Sequence, residues 1–169
     1  VNKIKVAMVC AMMPLYRLNV FRELSSYKDI EFTFLGPLKS HWGIETLKKE
    51  HVNQITGKSI RWIKTRTFYN KNSLRWQTGI VRRILFSKFK VFVFEGGARH
   101  LPVWFFAFLC KVVNKKVLFW THGLKGIDKG LKKKIRIYFF KYMADGILLY
   151  GHYQKNNMIR EGMDPNKLF

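Results

Sequence analysis

Acidic residues are scarce in this chain of 169 residues: Asp and Glu together number 10 against 32 Lys and Arg, which leaves a net charge of +22. An excess of this size predicts an anionic partner, such as nucleic acid, an acidic membrane surface or a phosphorylated substrate. Hydrophobic residues make up 48% of the chain, which excludes a disordered protein. Aromatic residues make up 16%, which is more apolar bulk than nucleic-acid binding requires.

Cysteine is also rare, and its two occurrences, Cys10 and Cys110, lie in apolar runs with no CxxC or His/Cys cluster near them. This pattern excludes a disulfide scaffold and a structural zinc site, and it favours a reducing cytoplasm. No signal-peptide pattern opens the chain. The longest apolar stretch, residues 101–113, is shorter than the ~20 residues of a membrane-spanning helix. We therefore expect any membrane contact to be peripheral.

Several nucleotide and catalytic motifs are missing. The chain contains no GxGxxG, no P-loop, no Asp-x-Asp and no GxSxG. These absences argue against a nicotinamide or flavin enzyme, a P-loop nucleotide hydrolase and a serine hydrolase of the elbow type. Without Asp-x-Asp, no carboxylate pair for a metal–diphosphate is present, so no metal is predicted.

Short apolar runs alternate with helical patterns along the whole chain. This order predicts an α/β fold, a Rossmann-like parallel sheet with helices on both faces, in a single domain over residues 1–169. Ligands of such sheets bind at the carboxyl ends of the strands, which directs attention to the loops at 12–17, 95–100, 121–126 and 151–154. The predicted strands are 5–11, 31–35, 59–64, 91–95, 116–121 and 146–150, and the main helices are 18–26, 73–88, 101–113 and 128–144.

Five segments, in order, resemble retaining glycosyltransferases of family 4. They are PLYRLNVFREL at 14–24, VFVFEGG at 91–97, KKVLFWTHG at 115–123, ADGILLY at 144–150 and EGMDPNKL at 161–168. One departure is the first loop, where Met12, Met13 and Pro14 replace the glycine-rich diphosphate cradle of some members.

The resemblance implies the N-terminal, acceptor-side half of a two-domain GT-B enzyme, whose C-terminal donor-binding domain lies outside this chain. The donor would be a nucleotide-sugar held mostly by that other half, with no cofactor and no metal. The acceptor would be a lipid-linked sugar or another envelope glycoconjugate. The expected location is cytoplasmic, peripheral on the inner face of the membrane.

Three side chains at predicted strand ends are the main site candidates. The resemblance gives His122 a contact to the donor sugar; alternatively it satisfies only loop carbonyls. Arg17 opens the first helix and is a candidate for a bidentate contact to a phosphate or sugar, or else a surface cation. Glu95 is a candidate to orient or deprotonate an acceptor hydroxyl, but a structural ion pair with Arg99 or a nearby lysine is slightly favoured. The adjoining substrate-binding candidates are Gly96, Gly97 and Gly123.

A basic surface is predicted on two helices. Between His51 and Phe94 the chain holds ten cations and no acid. Helical periodicity over 74–88 groups Arg75 and Arg82 with Phe86, opposite an apolar stripe. The same periodicity in the predicted helix 128–144 gives two stripes. One is predicted to face the core and contains residues 131, 135, 138, 139 and 142. The other is predicted to be exposed and contains Lys133, Arg136 and Phe140. Cations interleaved with exposed aromatics indicate a membrane interface, the alternative being a solvated basic face.

The competing interpretation is a non-catalytic basic Rossmann-like module, either an acceptor-binding subunit or a nucleic-acid binder. Nucleic acid is the weaker partner, because no DNA- or RNA-binding motif is present.

Overall fold

The computed structural model describes residues 3–37, 43–48, 50–51, 61–64, 67–69, 75–96, 101–124 and 130–169. The strands are β1 Ile4–Val9, β2 Ile30–Gly36, β3 Arg61–Lys64, β4 Thr67–Tyr69, β5 Arg75–Gln77, β6 Val91–Glu95, β7 Lys116–Thr121 and β8 Gly146–Leu149. Six of them form one parallel sheet in the order β3-β2-β1-β6-β7-β8, and β4 and β5 form a separate antiparallel pair. The α/β class and the parallel sheet are as predicted.

Helices cover both faces of the sheet. They are α1 Leu18–Ser26, α2 Ile80–Phe86, α3 Leu101–Val112, α4 Gly130–Met143 and α5 His152–Arg160, with short 3-10 turns at Leu15–Arg17 and Pro165–Lys167. Side chains of a strand alternate between the faces. Ala7 and Val9 of β1 accordingly join the core beneath α2, α3 and α4, whereas Val6 and Met8 join the core on the α1 side. Burial on both faces explains why these strands are almost wholly apolar.

The segment before α2 differs from the prediction. A helix was expected from Ser73 to Lys88, but it spans only Ile80–Phe86, and Arg75–Gln77 form β5, paired with β4. Trp76 explains the difference, because its ring packs 5.1 Å from that of Phe106 on α3. Tertiary packing of the aromatic ring thus overrides a weak helical pattern. The expectation that Arg75 shares a helix face with Arg82 and Phe86 is therefore wrong.

The orientation of α4 is also opposite to the prediction. Arg136 is only 6% exposed and Phe140 only 2%, so the expectation that they lie on an outer face is wrong. The rings of Phe139 and Phe140 pack edge-on against Phe119 of β7, each at 5.3 Å. The stripe expected to face inward is instead largely exposed: Leu131, Ile135, Tyr138 and Tyr142, with Phe139 as the buried exception.

An acidic side chain joins the two turns at the amino ends of β7 and β8. Asp145 accepts hydrogen bonds from the Lys111 ammonium at 2.6 Å and from the backbone N–H of Val117 at 2.8 Å. Burial raises the pKa of Asp145, but these hydrogen bonds and the charges of Lys111 and Lys116 outweigh that effect and lower it below its ordinary value.

Two other sequence expectations concern cysteine and membrane spans. Both thiols, Cys10 and Cys110, are buried and free, and burial raises the pKa of Cys110 to about 12. Within the described ranges, no helix combines the length and apolar character that crossing a bilayer requires.

Candidate active site at the carboxyl edge of the sheet

The strand order of the sheet reverses between its two central strands, β1 and β6. From β1 the chain proceeds outward to β2 and β3, whereas from β6 it proceeds the other way to β7 and β8. The loops that leave the carboxyl ends of β1 and β6 therefore separate, and open parallel sheets bind ligands at such a switch point.

An ion pair joins the segments that follow these two strands. The Arg17 guanidinium, at the end of the 3-10 turn after β1, donates to Oε1 of Glu95 at the end of β6. The other carboxylate oxygen of Glu95 accepts the backbone N–H of Ala11 at 2.7 Å. The two side chains are only 14% and 20% exposed. The pair therefore joins the exits of both central strands in a partly desolvated setting.

Arg17 has further partners on the β7–β8 side. Its second terminal nitrogen donates to the Tyr150 hydroxyl at 3.0 Å, and its guanidinium lies 4.4 Å from the ring centroid of Trp120. Burial lowers the pKa of Arg17, but the charge and hydrogen bond of Glu95 outweigh it and leave the pKa above its ordinary value. Burial also raises the pKa of Tyr150, with Arg17 opposing the change. Arg17 is therefore a permanent cation that links three strand ends.

His122 stacks on Tyr150, one of the aromatic partners of Arg17. Its imidazole stacks on the Tyr150 ring, with centroids 4.1 Å apart and planes 12° from parallel. Tyr150 also stacks with Trp120, at 5.6 Å and 18°. His122 is exposed, so stacking fixes the plane of its ring while the ring edge stays accessible to a ligand.

Close backbone contacts fix the loops around His122. The Thr121 hydroxyl donates to the Gly96 carbonyl at 2.6 Å and accepts the Gly123 N–H at 3.2 Å. A Cβ on Gly96 would lie 3.1 Å from that of Thr121, so glycine permits this approach of the two strand exits. Gly123 has φ +68°, a left-handed conformation that glycine adopts without strain.

The predicted site residues fall into two groups. Arg17, Glu95, Gly96, His122 and Gly123 come together at the carboxyl edge of the sheet, while Gly97 and Arg99 lie outside the described residues. Glu95 does form an ion pair, but its cation is Arg17 and not Arg99 or a lysine as expected. Both carboxylate oxygens are occupied, which favours a structural role for Glu95 over proton abstraction.

The predicted membrane residues differ in exposure, since Arg136 and Phe140 on α4 are buried. Arg82 is exposed on α2 and Phe86 is 80% exposed, as expected. The Lys133 ammonium contacts Glu161 at 2.5 Å, so its charge is compensated.

Sequence reasoning missed Trp120 and Tyr150, which complete the stack. Trp120 is the penultimate residue of β7, in KVLFWT, and Tyr150 directly follows β8, in GILLY. The strand-end rule that selected His122 therefore applies to them as well.

Chemically, the site offers the accessible imidazole edge of His122 and flat aromatic surfaces, because Glu95 compensates the charge of Arg17. These groups suit a hydroxyl-rich ligand that needs a hydrogen-bonding partner and a planar support. Across the part of the chain that the structure describes, no group of three or more His, Cys, Asp or Glu could hold a metal ion.

No protein-family model matches the chain, and no curated protein matches its sequence. Solved structures do match. A UDP-N-acetylglucosamine 2-epimerase aligns with a TM-score of 0.68 and 13% identity over 99% of this chain and 48% of the epimerase. A putative UDP-N-acetylglucosamine 2-epimerase from Listeria monocytogenes aligns with a TM-score of 0.61 and 17% identity, over 99% of this chain and 44% of the Listeria protein. The Anabaena protein HepE, in complex with UDP and glucose, aligns with a TM-score of 0.60 and 7% identity, over 98% of this chain and 43% of HepE.

These similarities show the fold alone: the chain has a Rossmann-like architecture that resembles one half-domain of GT-B-like structures. The chain spans less than half the length of each of these structures. Membership in glycosyltransferase family 4 stays a prediction.

Proposed function

We propose that this chain is the N-terminal half of a nucleotide-sugar-dependent retaining glycosyltransferase that acts on a lipid-linked or other envelope glycoconjugate. The observation that carries the proposal is the assembly of Arg17, Glu95, Trp120, His122 and Tyr150 at the switch point of the sheet. A ligand held there by a second domain would meet the imidazole edge of His122 first, because that ring is exposed.

Within the proposed reaction, these residues have different roles. His122 donates a hydrogen bond to a hydroxyl of the donor sugar and holds the sugar in position while its bond to the nucleotide diphosphate breaks and the bond to the acceptor oxygen forms. The diphosphate leaves with the nucleotide, and the acceptor hydroxyl loses its proton. Arg17 and Glu95 are positioning residues, since the guanidinium holds Tyr150 and Tyr150 supports the imidazole. The nucleotide binds mostly to the other half, and neither a metal nor a cofactor takes part.

The charge of +22 supports an anionic acceptor, such as a polyprenyl-diphosphate-linked sugar. It equally supports a peripheral position at the cytoplasmic face of an anionic membrane, where such an acceptor resides.

A second candidate is sugar-nucleotide epimerisation. The observation that favours it is the likeness to UDP-N-acetylglucosamine 2-epimerases, up to a TM-score of 0.68. The two candidates share a nucleotide-sugar but differ in product, because epimerisation needs no acceptor.

The test is to incubate the full-length protein with labelled UDP- and GDP-sugars, with and without a polyprenyl-diphosphate-linked acceptor, and to identify the products by mass spectrometry. Label in the lipid supports sugar transfer. An isomerised donor sugar that forms without acceptor supports epimerisation and contradicts the glycosyltransferase proposal. If neither product forms and oligonucleotides bind better than anionic vesicles at equal salt, the protein is a non-catalytic module. Residues 1–169 alone should transfer no sugar and should bind nucleotide-sugars weakly in calorimetry.

A further inference from the structure

One stripe of α4 presents large apolar side chains to solvent. Leu131, Ile135, Tyr138 and Tyr142 are between 46% and 72% exposed. Their spacing of four, three and four residues places them in one row along the helix. The rings of Tyr138 and Tyr142 lie 4.3 Å apart, so the row is continuous at its carboxyl end.

The neighbouring helix continues this surface. Phe105, Phe108 and Val112 of α3 are all exposed and also form one row. The two helices are in contact, since Trp104 of α3 stacks on Phe139 of α4 at 4.1 Å. Both helices belong to the layer on one face of the sheet. We call these two rows the outer face of α3 and α4. Single exposed apolar side chains are ordinary, but adjacent rows on two helices mark an interaction surface.

The charged residues of these two helices and of α2 are all basic. The sequences of α2, α3 and α4 contain eight Lys and Arg and no Asp or Glu. Two of these cations are paired with acids elsewhere, Lys111 with Asp145 and Lys133 with Glu161. Lys134 and Lys141 are exposed and lie in or beside the α4 row.

We infer that the outer face of α3 and α4 binds an anionic lipid bilayer. Interfacial helices place aliphatic and aromatic side chains at the headgroup boundary with Lys and Arg beside them, and tyrosine suits that boundary because its ring is apolar and its hydroxyl is wet. The inference deepens the peripheral location proposed above and moves it from the residues that the sequence indicated to a different face.

Charge complementarity separates a bilayer from other occupants. A second copy of the chain would bring another +22 and another acid-free helix layer against this one. Nucleic acid would satisfy the lysines but would leave two apolar rows in water. An anionic bilayer satisfies both the charge and the apolar rows.

The expected effects follow from the two kinds of side chain. Each lysine near an anionic surface contributes about fivefold to binding, so Lys134→Gln with Lys141→Gln should weaken vesicle binding on the order of thirtyfold. Burying a large aliphatic side chain contributes about tenfold or more, so Leu131→Gln with Ile135→Gln should weaken it about a hundredfold. Salt should weaken binding of the wild type and of the aliphatic variant, and much less that of the lysine variant.

The experiment is co-sedimentation of the full chain with vesicles of phosphatidylcholine alone and of equimolar phosphatidylcholine and phosphatidylglycerol, across a salt series. Val20→Gln and Lys28→Gln are matched controls, because Val20 is exposed on α1, on the opposite face of the sheet, and Lys28 is exposed just after α1. Circular dichroism checks that each variant is folded. Loss of binding in both α4 variants and in neither control supports the inference.

Three results would overturn it: α4 variants that sediment like the wild type, equal binding to phosphatidylcholine alone, or a dimer in analytical ultracentrifugation that Leu131→Gln with Ile135→Gln dissociates. The readout is vesicle binding and not sugar transfer. A protein that binds vesicles without transferring sugar would therefore refute the enzymatic proposal alone.

Discussion

Replacing Glu95 by Gln is expected to destabilise the whole domain, although the two side chains have nearly the same shape. Gln keeps an oxygen that can accept the Ala11 N–H, but it removes the negative charge opposite Arg17. The guanidinium then stays in place, only 14% exposed, without its counterion.

The size of the effect lies between two limits. Removing one member of a fully buried ion pair costs about 3–5 kcal/mol, and exposed pairs contribute less than about 1 kcal/mol. With side chains 14% and 20% exposed, the Arg17–Glu95 pair is closer to the buried limit, but residual solvent reduces the effect. We expect Glu95→Gln to lower the free energy of unfolding by about 2 kcal/mol. For a domain of this size that corresponds to a fall in Tm of about 4–8 °C.

A double-mutant cycle isolates the pair. Urea unfolding of wild type, Glu95→Gln, Arg17→Met and the double variant should give a coupling energy of about 2 kcal/mol. The matched control is Glu31→Gln, because Glu31 pairs with Lys5 at 3.7 Å in a more exposed position, where the loss should stay below about 1 kcal/mol. If the two single variants are additive, or if Glu95→Gln costs no more than Glu31→Gln, the ion pair does not hold the site together.

Three further predictions address the site and its supports. If the full-length protein is assayed as the proposed glycosyltransferase, His122→Ala should lower kcat about a hundredfold with little change in acceptor KM; an unchanged kcat with a lower Tm would make His122 structural. Asp145→Asn should lower the free energy of unfolding at pH 7 by about 1–2 kcal/mol. Because the pKa of Asp145 is lowered on folding, this stabilisation is present above the ordinary carboxyl pKa of about 4 and is lost as pH falls through the folded value, so wild type and variant should converge in acid, and a constant difference would contradict the assignment. Gly123→Ala should lower the free energy of unfolding by about 1–2 kcal/mol, because φ is +68° and the new Cβ would lie 3.3 Å from the Met158 sulfur. Equal thermal melts of the variant and the wild type would contradict this prediction.

The strands of the main sheet were the most predictable part of the fold. VFVFE at 91–95 and KVLFWT at 116–121 form strands over the predicted residues, because a strand buried on both faces needs an unbroken apolar run and little else has that appearance. The strand-end rule then placed Arg17, Glu95 and His122 at one edge. It gave no partners, since the contacts of Arg17 with Glu95 and Tyr150 depend on which strands are neighbours.

The helices were less predictable, because α4 carries apolar side chains on both sides. Periodicity shows that two stripes exist but not which of them faces the sheet. Composition offered a signal: the buried side carries Phe139 and Phe140, and the outer side carries Tyr138 and Tyr142, whose hydroxyls need a polar partner. The hairpin of β4 and β5 was missed for another reason, since a strand of three residues has no periodicity to detect.

The hydrogen bond from Arg17 to Tyr150 joins residues 133 positions apart, and it imposes an order on the assembly of the site. Closing so long a loop is entropically unfavourable until the intervening strands have paired, so we expect the contact to form late in folding. During synthesis, Arg17 is made long before Tyr150. The loop after β1 therefore lacks this contact until β8, the outermost strand, has joined the sheet. Any event that detaches β8 from β7 would therefore dismantle the aromatic stack without disturbing the central strands. The integrity of the site thus reports on completion of the whole sheet.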